Sequence, residues 1–104
     1  MHATIRRYEG VDSTSIDEVV GKINETLVPK LQDLPGFIGY YLIEPSGGVI
    51  SSLGLFESAE QADASTTLVS KWITDENLNT VIPNAPEITS GKVVAQGHRA
   101  LALA

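Results

Sequence analysis

Arg7 has the type and position that most suggest chemistry in this chain. It follows Ala3 and Ile5 at two-residue spacing, so a β-strand there would carry Arg7 on the more apolar face, into the core region. An unpaired cation is costly in apolar surroundings, so the guanidinium needs a counter-charge. It could clamp an anion, or it could pair with a carboxylate from a helix or from a partner subunit. Arg6 would point to the opposite face, towards a dimer interface or a rim.

Three further side chains are candidates for a ligand pocket. Tyr41 and Ser52 fall on one face of a predicted hairpin beside Gly39 and Gly54, whose missing side chains leave room. That room could be a pocket bordered by two hydroxyls, or the space that a helix or partner sheet needs to pack closely. Trp72 ends an apolar helical stripe and is either core or pocket wall. The candidate pocket comprises Arg7, Tyr41, Ser52 and Trp72.

The sequence offers little for other kinds of chemistry. It contains no cysteine, its histidines His2 and His98 lie near the chain ends, and neither a nucleophile elbow nor a phosphate-binding glycine loop occurs. Acidic residues are spread over solvent-facing helical positions and caps. We therefore predict no metal and no cofactor, and no catalytic residue can be assigned.

Composition limits the partners and the location. A net charge of −6 argues against nucleic acid or an anionic membrane as the main partner. No apolar run reaches the roughly 18 residues of a membrane span, and the N-terminus lacks the apolar core of a signal peptide. With 104 residues, 42% of them hydrophobic, the chain is expected to form one cytoplasmic domain.

A β-hairpin must position the candidate residues. Two apolar runs, 37–44 and 49–56, flank Pro45-Ser46-Gly47-Gly48, residue types typical of a tight reversal. Both faces of the hairpin are apolar, so it needs a covering layer on each side. With an even-length loop, one face would carry Phe37, Gly39, Tyr41, Ile43, Ile50, Ser52, Gly54 and Phe56.

Two amphipathic helices accompany this hairpin. Possible capping boxes begin at Ser15 and Ser58, and the second helix is expected to end near Trp72 or Ile73. Pro29 should kink or tighten the end of the first helix, and a further helical turn is expected around residues 78–82. The apolar stripe of the first helix is Ile16, Val19, Val20, Ile23, Leu27 and Leu31.

The order of elements predicts an α+β fold of the ferredoxin-like βαββαβ type. Strands at residues 1–8 and from 87 to 94 or 95 complete a four-stranded antiparallel sheet, and residues 1–95 form the domain with 96–104 as a tail. Right-handed crossovers place both helices on one face, which leaves the other face uncovered. A homodimer with sheets packed face to face would cover it, and the alternative is that the tail folds over it.

Three short sequence segments resemble those of antibiotic-biosynthesis monooxygenase (ABM) domains of the dimeric α+β barrel superfamily. These are Arg7-Tyr8-Glu9-Gly10, Leu34-Pro35-Gly36-Phe37, and Phe56-Glu57-Ser58 leading into a helix with a Trp. The resemblance implies a barrel formed across a dimer and a small-molecule cavity between each sheet and its helices. It extends over about residues 1 to 95, and its motifs are signatures of the fold rather than of one reaction.

The haem-degrading branch of that superfamily fits poorly. Its members present an Asn on the first strand, a Trp on the second helix, and a His shortly after that Trp to ligate iron. Trp72 matches the second of these, but the first strand contains no Asn and no His follows Trp72 in the helix.

Two functions are compatible with the resemblance. One is a cofactor-independent monooxygenase of an aromatic or polyketide-like substrate, in which a phenolate reduces oxygen directly and Arg7 stabilises the anion. The other is a non-catalytic dimeric barrel that binds a small molecule or serves in stress physiology. No acid–base pair stands out in the sequence to decide between them.

Overall fold

The computed structural model describes residues 1–45 and 47–97. It contains a four-stranded antiparallel sheet with helices on one face. The strands are ordered β2-β3-β1-β4, as expected for the ferredoxin-like βαββαβ pattern, and the predicted fold class is confirmed. The elements are β1 (His2–Tyr8), α1 (Ile16–Lys22), α2 (Val28–Gln32), β2 (Phe37–Ile43), β3 (Ile50–Phe56), α3 (Ala59–Asp75) and β4 (Glu87–Lys92).

The first helical layer spans residues 16–32 and is not uniform. A π-helical segment, Ile23–Leu27, separates α1 from α2, so the helix is irregular near Pro29, but it is widened there, whereas a kink or a tightening was predicted. Pro29 has no N–H to offer the carbonyl four residues earlier, which weakens the regular α pattern there. The predicted stripe is correct, because Ile16, Val19, Ile23, Leu27 and Leu31 are buried and Val20 is partly buried.

Of the two predicted capping boxes, the one at Ser58 is present and the one at Ser15 is not. Ser58 accepts a hydrogen bond from the Gln61 amide and donates its own amide to Gln61 Oε1, which confirms the second capping box. Ser15 caps nothing with its side chain. Instead, Asp12 accepts from the Thr14 amide at 3.0 Å and begins a 3-10 turn, Ser13–Ser15, before α1.

The hairpin has a different register from the one predicted. Phe37 pairs with Phe56 as expected, but a β-bulge at residue 38 shifts every later pair, so that Tyr40 faces Gly54 and Tyr41 faces Leu53. Ile43 pairs with Ser51, which means that the connecting loop has an odd number of residues. Consequently Tyr41 and Gly39 lie on the opposite face from Ser52 and Gly54.

The segment after α3 is irregular. Residues 78–82 form a single hydrogen-bonded turn, in which the amides of Val81 and Ile82 both donate to the Leu78 carbonyl, as the expected helical turn requires. Leu78 and Ile82 are buried in the core. β4 ends at Lys92, earlier than predicted. The proposed covering role of the tail concerns residues 96–104, of which 98–104 lie outside the described residues.

One face of the sheet is apolar, and no helix within residues 1–45 and 47–97 packs on it. Ile5, Leu53 and Tyr41 form a row across β1, β3 and β2, and Ile43 lies beside it. Ile5, Tyr41 and Ile43 are 42%, 53% and 58% exposed, high values for large apolar side chains. We call this surface the open face. Within residues 1–45 and 47–97, no helix has both the length and the apolar character that crossing a membrane requires.

Candidate functional site

The side chain of Arg6 is the most unusual polar group on the helix-covered face. Residues with even numbers on β1 point towards the helices, and Arg6 is only 1% exposed there. Its Nη1 donates to Thr66 Oγ1 at 2.8 Å and to Ser65 Oγ at 3.3 Å, both on α3. These contacts tie the centre of the sheet to the middle of α3 through a buried cation.

Among residues 1–45 and 47–97, no carboxylate forms an ion pair with Arg6. Throughout residues 1–45 and 47–97, the ion pairs within 4.0 Å are Arg7 with Glu9 and Lys71 with Asp75, and neither includes Arg6. Its Nε and Nη2 have no hydrogen-bond partner in the same range. A buried guanidinium left in this state costs stability, so a functional reason for retaining it is worth seeking.

Ser52 lies directly opposite Arg6 on β3. The two residues are paired in register on the same face of the sheet, and Ser52 is 3% exposed. Burial raises the pKa of the nearby Tyr40 phenol and the Ser52 hydroxyl partly offsets that rise, but within residues 1–45 and 47–97 this hydroxyl has no hydrogen-bond partner. Ser52 therefore adds a second unsatisfied polar group beside Arg6.

Two tyrosines flank this pair on the covered face. Burial raises the pKa of Tyr8 and of Tyr40, and the positive charge of Arg6 partly opposes both shifts. Burial also lowers the pKa of Arg6, although arginine remains protonated under ordinary conditions. At neutral pH the group therefore consists of one cation and two neutral phenols.

A cavity of about 250 Å³ opens beside Tyr8, between α3 and β4. Its walls are apolar at Ile73, Ile82 and Ile88 and carry hydroxyls from Tyr8, Thr66 and Ser70. Residues 82–86 form one rim, which Asn84 fastens to the end of β1 by donating to the carbonyl of Glu9. We call this the α3–β4 cavity. Arg6 lies behind its wall, because Thr66 both lines the cavity and accepts from Arg6.

A second cavity, of about 390 Å³, lies at the other side of the covered face. It is bounded by Val20, Ile23 and Val28 from the first helical layer and by Tyr40 and Leu42 from β2. This layer cavity, as we call it, is lined mainly by apolar groups. Each of the two tyrosines beside Arg6 therefore borders a different cavity.

The four predicted pocket residues are not brought together. Arg7 lies on the open face and pairs with Glu9 at 3.0 Å, with half of its side chain exposed, so its predicted entry into the core is wrong. Tyr41 is also on the open face because of the bulge. Ser52 is on the covered face beside Arg6, and Trp72 is buried between helices.

Trp72 and the two glycines have packing roles. The Trp72 indole nitrogen donates to Thr26 Oγ1 at 2.8 Å and joins α3 to the π-helical segment. The space above Gly54 is occupied by the Phe56 ring, 3.1 Å from where a Cβ would stand, and by Thr4. Gly39 pairs with Leu55, so the two glycines do not create one shared opening.

Sequence reasoning missed Arg6, Tyr8 and Thr66. It assigned the covered side of β1 to Ala3 and Ile5 because they are more apolar, whereas these residues belong to the equally apolar open face. One signal was available, since Ser65 interrupts the apolar stripe of α3 and a buried hydroxyl there needs a partner. The hydroxyl donates to the Ala62 carbonyl of its own helix and accepts from Arg6.

The residues around Trp72 do not fit a haem iron. Ile73, Thr74 and Asp75 follow it in α3, and none of them is among the usual haem ligands. His2 lies at the start of β1, with Nε2 3.1 Å from Ser90 Oγ, and His98 is outside the described residues. The described part of α3 thus offers no ligand for the haem that the related branch binds.

Comparison with solved structures finds the same fold at low sequence identity. MhuD, a haem degrader from Mycobacterium tuberculosis with two haems in its active site, has a TM-score of 0.72 at 19% identity, over 94% of this chain and 100% of MhuD. A monooxygenase from the gene ActVA-Orf6 of Streptomyces coelicolor, in complex with nanaomycin D, gives 0.70 at 12% identity, over 95% and 92% of the two chains. A dimeric ferredoxin-like protein from an uncultured marine organism gives 0.64 at 14% identity, over 94% and 97%.

Sequence comparison matches no family profile and no curated protein. The structural likeness therefore concerns the arrangement of the backbone, and it extends over nearly the whole of each chain. The chain has the ferredoxin-like α+β fold of the antibiotic-biosynthesis monooxygenase structures, and the resemblance inferred from its sequence is confirmed at the level of the fold.

Proposed function

We propose that the chain binds a compact aromatic molecule in the α3–β4 cavity and oxidises it with molecular oxygen, without metal or organic cofactor. The observation that carries this proposal is the combination of a cavity of about 250 Å³, lined by both apolar and polar side chains, with a buried cation behind its wall that has no ion-pair partner among the described residues. Ligand pockets usually measure about 300–1,000 Å³, so the expected ligand is small. Isoleucine and proline side chains, together with hydroxyls and the amides of Asn79 and Asn84, suit an aromatic ring that carries oxygen substituents.

The proposed reaction is balanced without an external reductant. A phenol and one O₂ give a quinone and one water: one oxygen atom replaces a ring hydrogen, the other leaves as water, and the substrate supplies all the electrons. The substrate reacts as its phenolate, so the protein must favour that anion and exclude water. The fixed charge of Arg6, in surroundings of low polarity, provides this kind of stabilisation.

Metal-free oxygen consumption tests this function. Purified protein, treated with a chelator, would be incubated with dihydroxynaphthalenes or anthrones, and oxygen uptake would be followed with an electrode and products by mass spectrometry. Ser70→Phe fills the α3–β4 cavity from an exposed position on α3. Asn24→Phe is the matched control, since Asn24 is exposed and lines the layer cavity instead.

Three outcomes are informative. We expect binding and oxygen uptake to fall at least tenfold in Ser70→Phe and to persist in Asn24→Phe. Loss in Asn24→Phe alone would move the ligand to the layer cavity and overturn the proposed location. No binding of any phenolic compound by the unaltered protein would overturn the function.

A second candidate is small-molecule binding without turnover. The ionisable side chain among the described residues of the cavity wall is that of Tyr8. Burial raises the pKa of Tyr8, so near neutral pH it stays protonated and does not serve as the base that removes a proton from the phenol. Deprotonation would then depend on the acidity of the substrate itself. Tight binding of phenols with no oxygen consumption would support this alternative.

We further propose that two copies of the chain pair through their open faces. Support comes from the exposed apolar row that includes Ile5 and Tyr41, and from the structural neighbour described as dimeric. Pairing would cover the second face of the two-sided hairpin. It would leave the α3–β4 cavity free, because that cavity lies on the helix side of the sheet.

A further inference from the structure

We propose that Arg6 and Ser52 form a buried binding site for an anionic oxygen, and that the natural ligand carries a carboxylate or phenolate at the end that reaches this pair. The inference rests on the proposed function in one respect, since the ligand is taken to occupy the α3–β4 cavity and to reach Arg6 past Thr66, which lines that cavity and accepts from Arg6 Nη1. It adds the charge class of the ligand, which the cavity walls alone do not determine.

The buried polar side-chain atoms that lack a partner in the described part of the chain belong to two neighbouring residues of the sheet. Over residues 1–45 and 47–97, the buried side-chain nitrogen and oxygen atoms without a hydrogen-bond partner are Arg6 Nε, Arg6 Nη2 and Ser52 Oγ. They belong to two residues that face each other directly across β1 and β3. Native proteins leave few such groups, and three of them at one place indicate a missing partner.

The chemistry of these atoms defines that partner. Nε–H and the Nη2 hydrogens are donors only, and the Ser52 hydroxyl is also able to donate. Nε and Nη2 together form the edge of a guanidinium that binds a carboxylate through two parallel hydrogen bonds. With no carboxylate within 4.0 Å among the described residues, the partner that best complements these donors is an acceptor that carries negative charge.

The guanidinium is held in place for this task. Ser65 Oγ donates to the carbonyl of Ala62 at 2.6 Å, which leaves its lone pairs available to accept from Arg6 Nη1. Thr66 Oγ1 accepts from the same nitrogen at 2.8 Å. Because both contacts use Nη1, they fix the orientation of the side chain without consuming the Nε and Nη2 edge.

A matched pair of ligands tests the charge preference. The probes are 1-naphthoate and 1-naphthalenemethanol, which share a ring system and differ in charge, and calorimetric titration would give both affinities. We expect the protein to bind the carboxylate at least tenfold more tightly than the alcohol. In Arg6→Met this ratio should fall close to one while the affinity for the alcohol is retained. Equal affinities in the unaltered protein, or an unchanged ratio in Arg6→Met, would overturn the proposal.

Arg7→Met is the matched variant, because it removes the same charge from the open face. It should keep the preference for the carboxylate, and a loss there instead would favour Arg7 and overturn the assignment to Arg6. Should Arg6→Met fail to fold, Ser52→Ala decides, since it removes only one hydroxyl. We expect it to lower the preference several-fold, and no change would count against the site.

A small anion separates this proposal from the proposed function. Formate needs no aromatic cavity, so its effect on the melting temperature can be compared with that of chloride at equal ionic strength. Formate should stabilise the unaltered protein more than chloride and lose this advantage in Arg6→Met. If the naphthyl compounds do not bind but formate does so, the aromatic function fails and the anion site stands. No formate effect in the unaltered protein overturns the site.

Discussion

The Trp72 indole nitrogen and Thr26 Oγ1 are 2.8 Å apart, and this hydrogen bond joins α3 to the π-helical segment Ile23–Leu27. Thr26 also donates to the Lys22 carbonyl at 2.8 Å, so its hydroxyl is used as both donor and acceptor. Trp72 is buried, and an indole N–H without an acceptor there is costly.

Thr26→Val should therefore destabilise the protein by about 1–3 kcal/mol, the usual cost of leaving a buried donor unsatisfied. Chemical denaturation followed by Trp fluorescence measures this free energy of unfolding. Thr67→Val is the control, because Thr67 bonds to a carbonyl of its own helix but is exposed and contacts no Trp in this way. Similar losses in both variants would argue against a specific role for the Trp72 bond.

Gly48 and Gly47 form a second matched pair. Both have positive φ, 76° and 63°, so a side chain at either position costs about 1–2 kcal/mol of backbone strain. At Gly48 a Cβ would also stand 2.6 Å from the Val11 carbonyl oxygen, whereas nothing lies within 4 Å at Gly47. Gly48→Ala should be the more destabilising variant in thermal and denaturant unfolding. Equal effects would show that the contact with Val11 is easily relaxed.

Alkaline pH should weaken the fold through Tyr8 and Tyr40. Burial raises the pKa of both phenols above the unfolded value of 10.0, so the unfolded chain loses these protons first as the pH rises. Their contribution to stability is complete below pH 10 and is lost as the pH rises through the folded-state pKa values. Unfolding measured at several pH values above 9 should show this decline. The Tyr8→Phe, Tyr40→Phe double variant should decline less steeply, and an unchanged slope would contradict the assignment.

If two copies pair through their open faces, a charge added to that face should lower the molecular mass of the particle in solution. Tyr41→Glu should convert the dimer to a monomer, because a carboxylate buried between two apolar sheets is costly. Size-exclusion chromatography with light scattering measures the mass. Val94→Glu changes another exposed apolar residue, beyond the end of β4, and should leave the dimer intact. A monomeric unaltered protein would refute the proposed pairing.

The sequence was sufficient for the topology but not for the faces of the strands. Element order, the two-sided hairpin and the stripe of the first helical layer depend on hydrophobic spacing, which is strong here. The bulge at residue 38 depends on local backbone geometry, and a shift by one residue moved Tyr41 to the other face. Arg6 and Arg7 were exchanged because both faces of β1 are partly apolar, so polarity could not identify the helix-covered side.

The site was harder to predict because its residues are joined only in three dimensions. Arg6, Ser52 and Thr66 come from β1, β3 and α3, and no spacing along the chain relates them. Ser52 was selected for its neighbouring glycines, yet its position beside Arg6 comes from the pairing of β1 with β3.

The π-helical segment Ile23–Leu27 changes the spacing at which residues of the first helical layer return to the buried face. In a regular α-helix, a step of four residues rotates the side chain about 40° beyond one full turn. Three such steps in succession, from Val19 to Leu31, would carry the last leucine about 120° away from the sheet. The wider turn absorbs this rotation, and all four residues are buried. Deleting one exposed residue from the segment would therefore misalign the leucines that follow it, even though the deleted side chain contributes nothing to the core.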